Sequence, residues 1–371
     1  MLPSDPIPAG PFLLRPPMES DAHVVARACD DPVTARFLPL MPSPYRLADA
    51  MFYLTEVVPA AWKAGGAEFA IADARDDLVG VVGLKPPDRL GNGEIGYWVA
   101  PWARARGVAA AAVRTITAWA FSRGVPRIEI LANVENIGSQ KVALASGYRN
   151  EGVLRGAELH RDGSRQDLVQ FARLAGDQGD AIKPYLPFFP GGELSDGVVT
   201  LSPLTYADTA DFFALAEDPE VTQYSVGASG PDLSAVEHRC RSALSWWLAG
   251  QRIELGVRDA PTGALAGHLQ LTFVQAELGQ AMIGYMLATR YRGRGIMTRA
   301  VRLLVDWVFQ ETGIGRLYAS TDPDNLVSQR VLQRVGFTHE ALVKGLFPGP
   351  DGTRLDDVQW SLVKPPPHAD A

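Results

Sequence analysis

Ile283–Met297 reads IGYMLATRYRGRGIM, a hydrophobic strand that ends in a basic, glycine-bearing turn and runs into a helix. Gly293 and Gly295 carry no Cβ, so the turn can take left-handed angles and an anion can approach the backbone. Arg290, Arg292 and Arg294 add positive charge. From Thr298 onward Val301, Leu304, Val305 and Val308 recur at helical spacing, so the amides of Gly293, Arg294, Gly295, Ile296 and Met297 open a helix N-terminus, a natural seat for phosphate. Two phosphate-binding patterns are excluded by spacing. No Lys occupies the turn, as a GxxxxGK loop requires, and the residue three after Gly295 is Thr298, which breaks GxGxxG.

The same stretch occurs earlier. Ile95–Ala109 reads IGYWVAPWARARGVA and aligns with Ile283–Met297 without a gap at an offset of 283 − 95 = 188. Gly96 meets Gly284, Tyr97 meets Tyr285, Arg104 meets Arg292, Gly107 meets Gly295 and Trp119 meets Trp307. One residue is gained near Thr312, and beyond it the offset is 189: Asn136 and Ser139 meet Asn325 and Ser328, Gly147-Tyr148 meets Gly336-Phe337, and Asp167 meets Asp356. A repeat of about 175 residues is a whole domain rather than a solenoid unit.

Arg-x-x-Gly-x-Ala/Met after a Gly-Tyr strand, then Asn-x-x-Ser and Gly-Tyr/Phe, resembles the GNAT superfamily of acyl-CoA-dependent N-acyltransferases. Leu14-Arg15-Pro16, Asn136-x-x-Ser139 and the late Asp167 resemble its RimJ/RimL type, which acetylates protein N-terminal amines and has many small-amine relatives. The resemblance covers both halves. It implies a mixed sheet in each half whose motif strand and next parallel strand splay at a bulge, with pantetheine in the gap.

Composition sets outer limits. A chain of 371 residues with 47% hydrophobic content suits two domains with real cores. The net charge of −7 argues against a nucleic-acid partner. The two cysteines, Cys29 and Cys240, make no disulfide framework and suggest a reducing cytoplasm. No apolar run approaches the ~20 residues of a membrane span, and the six histidines show no metal spacing. The expected organisation is an α/β fold with a mixed sheet flanked by helices, made twice: residues 1–175, a Gly- and Pro-rich linker at 176–197, and residues 198–371. Tyr185, Phe188 and Phe189 are unusual for a loose tether and are expected to pack on a domain surface. The elements of the first half are expected as β, α, ββ, β, α, β, α, β, with a helix over Leu47–Trp62 and a broken stretch at Arg36–Arg46.

Acyl transfer to an amine needs a neutral amine, a polarised thioester carbonyl and a proton for the departing thiolate. Acetyl-CoA or another acyl-CoA is the expected co-substrate, with no metal. Its diphosphate would lie on the backbone of Ala105, Arg106, Gly107, Val108 and Ala109 beside Arg104, and on the second turn beside Arg292. A backbone N–H near Val99 or Leu287 would polarise the carbonyl. Asn136 and Asn325 would bind the pantetheine arm, and Ser139 and Ser328 would protonate the sulfur; helix capping is the competing role for both residue types. Glu94 and Glu158 are the candidate bases, a carboxylate in a partly apolar cleft being able to accept an amine proton. Their counterparts are Met282 and Phe347, so the chemistry is expected in the first half, with Glu254 or Asp356 as other candidates in the second. His160, Arg161 and Arg165 read first as a solvated basic loop, with an acidic group on donor or acceptor, such as succinyl in place of acetyl, as the alternative. The expected acceptor is a primary amine of a small molecule or a peptide N-terminus, on a monomer or homodimer. The rival reading is a catalytically silent acyl-CoA-binding or scaffold protein.

Overall fold

The computed structural model describes residues 5–224, 230–349 and 352–366. The chain forms two compact units, Met1–Lys183 and Pro184–Ala371.

In the first unit β1 (Ile7–Ala9) and β2 (Phe12–Arg15) precede α1 (Ala22–Cys29), α2 (Pro32–Phe37), α3 (Leu47–Phe52) and α4 (Val58–Lys63). They are followed by β3 (Ala67–Ala72), β4 (Leu78–Leu84), β5 (Gly93–Val99), α5 (Val108–Phe121), β6 (Arg127–Asn133), α6 (Ile137–Ala145), β7 (Arg149–Leu159) and β8 (Arg165–Leu174). The second unit repeats the scheme with β9 (Leu194–Ser195), β10 (Val199–Pro203), α7 (Thr209–Glu217), α8 (Pro219–Thr222), α9 (Leu233–Leu248), β11 (Ile253–Asp259), β12 (Leu265–Gln275) and β13 (Gln280–Leu287). It ends with α10 (Ile296–Glu311), β14 (Arg316–Thr321), α11 (Leu326–Val335), β15 (Thr338–Pro348) and β16 (Arg354–Val363).

Among the described residues each unit has an eight-stranded mixed sheet, in the order β1-β2-β3-β4-β5-β6-β8-β7 and its repeat β9-β10-β11-β12-β13-β14-β16-β15. The one parallel contact in each lies between the motif strand and the next, β5 with β6 and β13 with β14. Two strands of the first unit escaped the sequence reading. β7 is exposed along most of its length and so lacks apolar alternation, and β1 is only three residues long.

Leu47–Lys63 is one helical run with a π turn at Tyr53–Val57. Pro59 has no N–H to give Thr55 and its ring crowds that carbonyl; the widened turn, closed by Val58 N–H to Tyr53 O, accommodates both. The matching α9 has no proline and stays regular through sixteen residues.

Three aromatic rings lock each helical layer to its sheet. In the first unit Trp62, Phe69 and Trp119 meet edge to face with centroids 5.3, 5.5 and 6.0 Å apart. In the second unit Trp247 and Trp307 stand in the same places, but β11 supplies Leu255, and the third ring is Phe189, at 4.7 and 4.9 Å. Leu186 is fully buried in the same core, so the aromatic stretch before β9 is part of the second unit's interior. On the other side of the stretch 176–197, Ile182 N–H donates to Leu144 O within the first unit.

Candidate functional site

The turn after β5 takes left-handed angles at Ala105 (φ 59°) and Gly107 (φ 77°), and the turn after β13 takes them at the aligned Gly293 (φ 76°) and Gly295 (φ 74°). Gly107 and Gly295 are N-caps without a capping side chain. The first turn-closing amides are those of Ala111 and Arg299, and among the described residues the amides of Gly107–Ala110 and of Gly295–Thr298 have no protein acceptor. A Cβ at Gly107, Gly293 or Gly295 would meet nothing within 4 Å, so the turns are open at these positions. Four converging donors at the positive end of a 14- or 16-residue helix fit a diphosphate.

The arginines divide. Arg106 and Arg294 stand exposed on the turns. Arg104 donates to Asp31 Oδ2 (2.6 Å), Thr34 Oγ1 (2.9 Å) and Val99 O (3.3 Å), and Arg292 donates to Glu220 O (2.6 Å). In both units the aligned arginine therefore ties the turn to the short helix after α1 or α7.

Beside each turn the sheet opens. β5 pairs with β6 only at Gly93↔Ile128 and Glu94↔Glu129, and β13 with β14 only from Gln280↔Arg316 to Met282↔Tyr318. The splay needs no bulge in β5, whose ladder with β4 runs unbroken from Leu84↔Ile95 to Gly80↔Val99. Ala100 N–H donates to Val79 O on the β4 side, so the N–H of Val99, one residue earlier, faces the opened edge. Ala288 N–H donates to Ala266 O, which turns Leu287 N–H the same way in the second unit.

Across the gap from each motif strand lies the serine. Tyr97 Oη shares a hydrogen bond with Ser139 Oγ (2.8 Å) and reaches Ser139 O (3.2 Å); Tyr285 and Ser328 repeat this at 2.9 and 3.1 Å. Burial pushes both phenols well above the usual tyrosine range, against the pull of the serine bond, so both keep their protons. The tyrosines stood in the repeated Gly-Tyr motif, but only the fold reveals them as the serines' partners. Asn136 and Asn325 cap α6 and α11, each Oδ1 accepting the serine N–H at 3.1 Å.

A family model for the acetyltransferase (GNAT) domain matches twice, over residues 12–149 and 199–338. The chain belongs to the GNAT acetyltransferase family. It is 28% identical over 147 residues to the uncharacterized N-acetyltransferase p20 of Bacillus licheniformis, covering 40% of this chain and 82% of p20. It is 38% identical over 95 residues to the probable N-acetyltransferase YjcK of Bacillus subtilis (strain 168), covering 25% of this chain and 52% of YjcK. Among solved structures, the RimL ribosomal L7/L12 alpha-N-protein acetyltransferase in complex with coenzyme A aligns with a TM-score of 0.42 and 18% identity, over 48% of this chain and 97% of RimL.

Three carboxylates of the first unit stand in separate places. Glu158 on β7 accepts from Asn133 Nδ2 (2.6 Å) and pairs with His160 Nε2 (2.9 Å), at the end of β6 just before the Asn136–Ser139 cap. Glu94 on β5 is in an ion pair with Lys85 at 2.5 Å. Among the described residues no hydrogen bond joins Glu94, Glu158 and Ser139 to one another. Asp167 and Asp356 are hairpin anchors, accepting from Gly156 N–H (2.8 Å) and Gly345 N–H (2.9 Å), glycines with φ of 58° and 59°. Both arginines of the basic loop are held by backbone carbonyls. Arg161 donates to the carbonyls of Ala35, Leu38 and Met41, and Arg165 to Gly156 O. Arg161 thereby ties the β7–β8 hairpin to the loop after α2.

The third carboxylate, Glu68 on β3, was missed in the sequence. It accepts from Tyr53 Oη (3.0 Å), a residue of the π turn, and lines a cleft of about 590 Å³ that runs to Gly96, Tyr97 and Trp98 on the opened strand. Burial pushes its carboxyl up to about 7, against the lowering effect of the Tyr53 bond. The available signal was positional: Glu68 and Glu254 both stand at the second residue of the strand that follows the long helix, but the β3–β4 and β4–β5 connections are each one residue longer in the second unit, which puts the pair outside the 188-residue offset.

Proposed function

We propose that the first unit is an acyl-CoA-dependent N-acyltransferase, acting with acetyl-CoA on a primary amine of a small molecule or a peptide N-terminus. The observation that supports it is the conjunction, in one unit, of the free turn amides, the opened strand and two carboxylates absent from the other unit. The turn amides from Gly107 onward would hold the coenzyme's diphosphate, and the coenzyme supplies the acyl group as a thioester. Val99 N–H, turned into the gap, would hydrogen-bond the carbonyl oxygen where negative charge develops. The acceptor nitrogen forms the new N–C bond as the C–S bond breaks. Its proton passes to Glu158 or Glu94, through water where the distance requires. The sulfur takes a proton from Ser139 Oγ, which Tyr97 Oη holds in place, and the serine recovers its proton from solvent; the raised phenol stays protonated near neutral pH.

The second unit has the turn, the gap and the Tyr285–Ser328 pair but carries Met282 and Phe347 in place of Glu94 and Glu158. These losses favour a unit that binds a CoA ester without the same proton transfer. Thiol release from acetyl-CoA over a panel of amines tests the proposal. Release that depends on an amine supports it, and no release with any amine, while CoA still binds, replaces it with the silent binding protein.

A further inference from the structure

The Glu68 carboxylate lies in a row that crosses the sheet in register, Glu68↔Gly83↔Gly96 over β3, β4 and β5. Side chains of such a row share one face. The glycines leave a trough along which the carboxylate reaches toward the opened strand: a Cβ on Gly83 would fall 2.5 Å from Glu68 Oε1, and one on Gly96 would meet nothing. The second unit fills the same row with Glu254↔Gln270↔Gly284, where a Cβ on Gly284 would fall 2.7 Å from Gln270 Nε2.

The twins differ most in their partners. Glu254 is fully buried and has two basic partners, His268 Nε2 at 2.6 Å and the Arg252 guanidinium. In the first unit Gly66 and Val81 hold the register positions of Arg252 and His268. No side chain fits at residue 66, where a Cβ would fall 2.6 Å from Leu84 O. Among the described residues Glu68 has no ion-pair partner, and Lys85, which also lines the cleft, is paired with Glu94. A carboxylate that the second unit neutralises from within is thus left, in the first, facing a cavity. The walls of that cavity are apolar and aromatic, including Tyr45, Met41 and Trp98, and its rim carries Leu40 and Phe52, exposed at 94% and 61%.

We propose that Glu68 is the acceptor-amine anchor of the first unit: its carboxylate binds the ammonium of a primary amine whose aromatic or aliphatic body fills the cleft between α3 and β5, and takes one proton from it to leave the neutral nitrogen that transfer requires. The assignment rests on the reading of this unit as an amine N-acyltransferase, and it narrows the substrate class to amines on an apolar frame. The aromatic walls add cation–π attraction to the same charge. The raised carboxyl, near 7, fits a group whose missing cation arrives with the ligand. Asp49, Lys85, Cys29, Tyr45 and Tyr53 also face the cleft. Burial pushes the cysteine and both tyrosines up, so they stay neutral, and binding of a permanently charged ammonium weakens as pH falls below about 7.

The test is calorimetric titration of the full chain, saturated with CoA at pH 8, with 2-phenylethylamine and with 2-phenylethanol. The amine is expected to bind at least about tenfold more tightly than the alcohol, as for a hydrogen bond to a charged group. Glu68→Gln, which keeps the shape, and Gly83→Ala, which displaces the carboxylate and keeps the charge, are each expected to erase that preference and leave CoA binding unchanged; Glu254→Gln is expected to preserve it. An amine that binds no better than the alcohol, or a preference that survives both substitutions, overturns the assignment. Thiol release from acetyl-CoA is read separately. Transfer without the preference overturns the anchor alone, whereas the preference without transfer supports the anchor and counts against the acyltransferase.

Discussion

Across β3, β4 and β5 the first unit sets Glu68, Gly83 and Gly96 side by side, and across β11, β12 and β13 the second sets Glu254, Gln270 and Gly284. The backbone pairing is the same, yet one row is an open trough ending at a carboxylate and the other is closed by Gln270, with its carboxylate sealed between His268 and Arg252. The turns and the Tyr–Ser pairs, by contrast, are alike in both units to within 0.1 Å in the hydrogen bonds that define the pairs. Duplication has thus kept the turn and the Tyr–Ser pair and let the row that starts at Glu68 diverge. A buried carboxylate costs stability unless it is paired, so filling the second cleft and pairing Glu254 go together.

The largest effect separates the units by their chemistry. Glu94→Gln with Glu158→Gln is expected to lower kcat by roughly 10²–10⁴, the usual contribution of general acid–base catalysis, with two equivalents of CoA still bound by calorimetry. Met282→Ala with Phe347→Ala in the second unit is expected to leave kcat unchanged. Normal turnover in the first variant would assign the proton transfer elsewhere in the chain.

Next in size is the coenzyme. Valine at a φ of 77° or 74° is strained by about 1–3 kcal/mol, so Gly107→Val and Gly295→Val should each distort one turn and spare the other. Each is expected to reduce the CoA stoichiometry from two to one, and only Gly107→Val to stop turnover. Two full equivalents bound by both variants would show that these amides do not hold the coenzyme.

The twin carboxylates give opposite pH dependences. Glu68 titrates higher in the folded chain, about 7, than its ordinary 4.5, so between those values the folded state holds the extra proton. Its contribution to stability is full below about 4.5 and is lost as pH rises through about 7. For Glu254, burial works to raise the carboxyl, but the His268 bond and the charges of His268, Arg239 and Arg252 outweigh it and hold it below 4.5. Its contribution is present above 4.5 and is lost as pH falls through the depressed value. In thermal melts from pH 4 to pH 8, Glu68→Gln is therefore expected to stabilise the chain more at pH 8 than at pH 4, and Glu254→Gln to destabilise it more at pH 8 than at pH 4. Parallel slopes in the two variants would remove the contrast.

What could be read in the sequence follows from what repeats. The strand–turn–helix unit was legible because two glycines, an arginine and a helical apolar period recur at a fixed offset, and Asn136 and Ser139 were legible for the same reason. The Asn side chains turned out to cap helices, and the arginines at 104 and 292 to brace the turn, because a side chain's orientation is set by neighbours far away in sequence: Asp31 lies 73 residues from Arg104. Glu68 escaped because its significance lies in what is missing beside it. Gly66, Val81 and Gly83 are unremarkable letters until the sheet pairs them, and the π turn that brings Tyr53 to Glu68 follows from Pro59, a residue the helical period alone passes over.

The smallest expected effect isolates the turn's backbone. Ala105 adopts a φ of 59°, where its counterpart is Gly293 at 76°, so the first turn carries a left-handed strain that the second avoids. Glycine at 105 relieves about 1–2 kcal/mol of Cβ–carbonyl conflict but restores backbone freedom to the unfolded chain, which returns about 0.4–1 kcal/mol. The net is a stabilisation of about 0–1.6 kcal/mol, a rise of a few degrees for a unit of this size. Gly293→Ala should destabilise the second unit by a similar amount, since the Cβ would meet no neighbour and only the backbone term remains. Melting temperatures of the two single variants and of the exchanged pair check both signs. If Ala105→Gly destabilises, the methyl group makes a contact worth more than the strain, and the two turns differ in packing rather than in backbone alone.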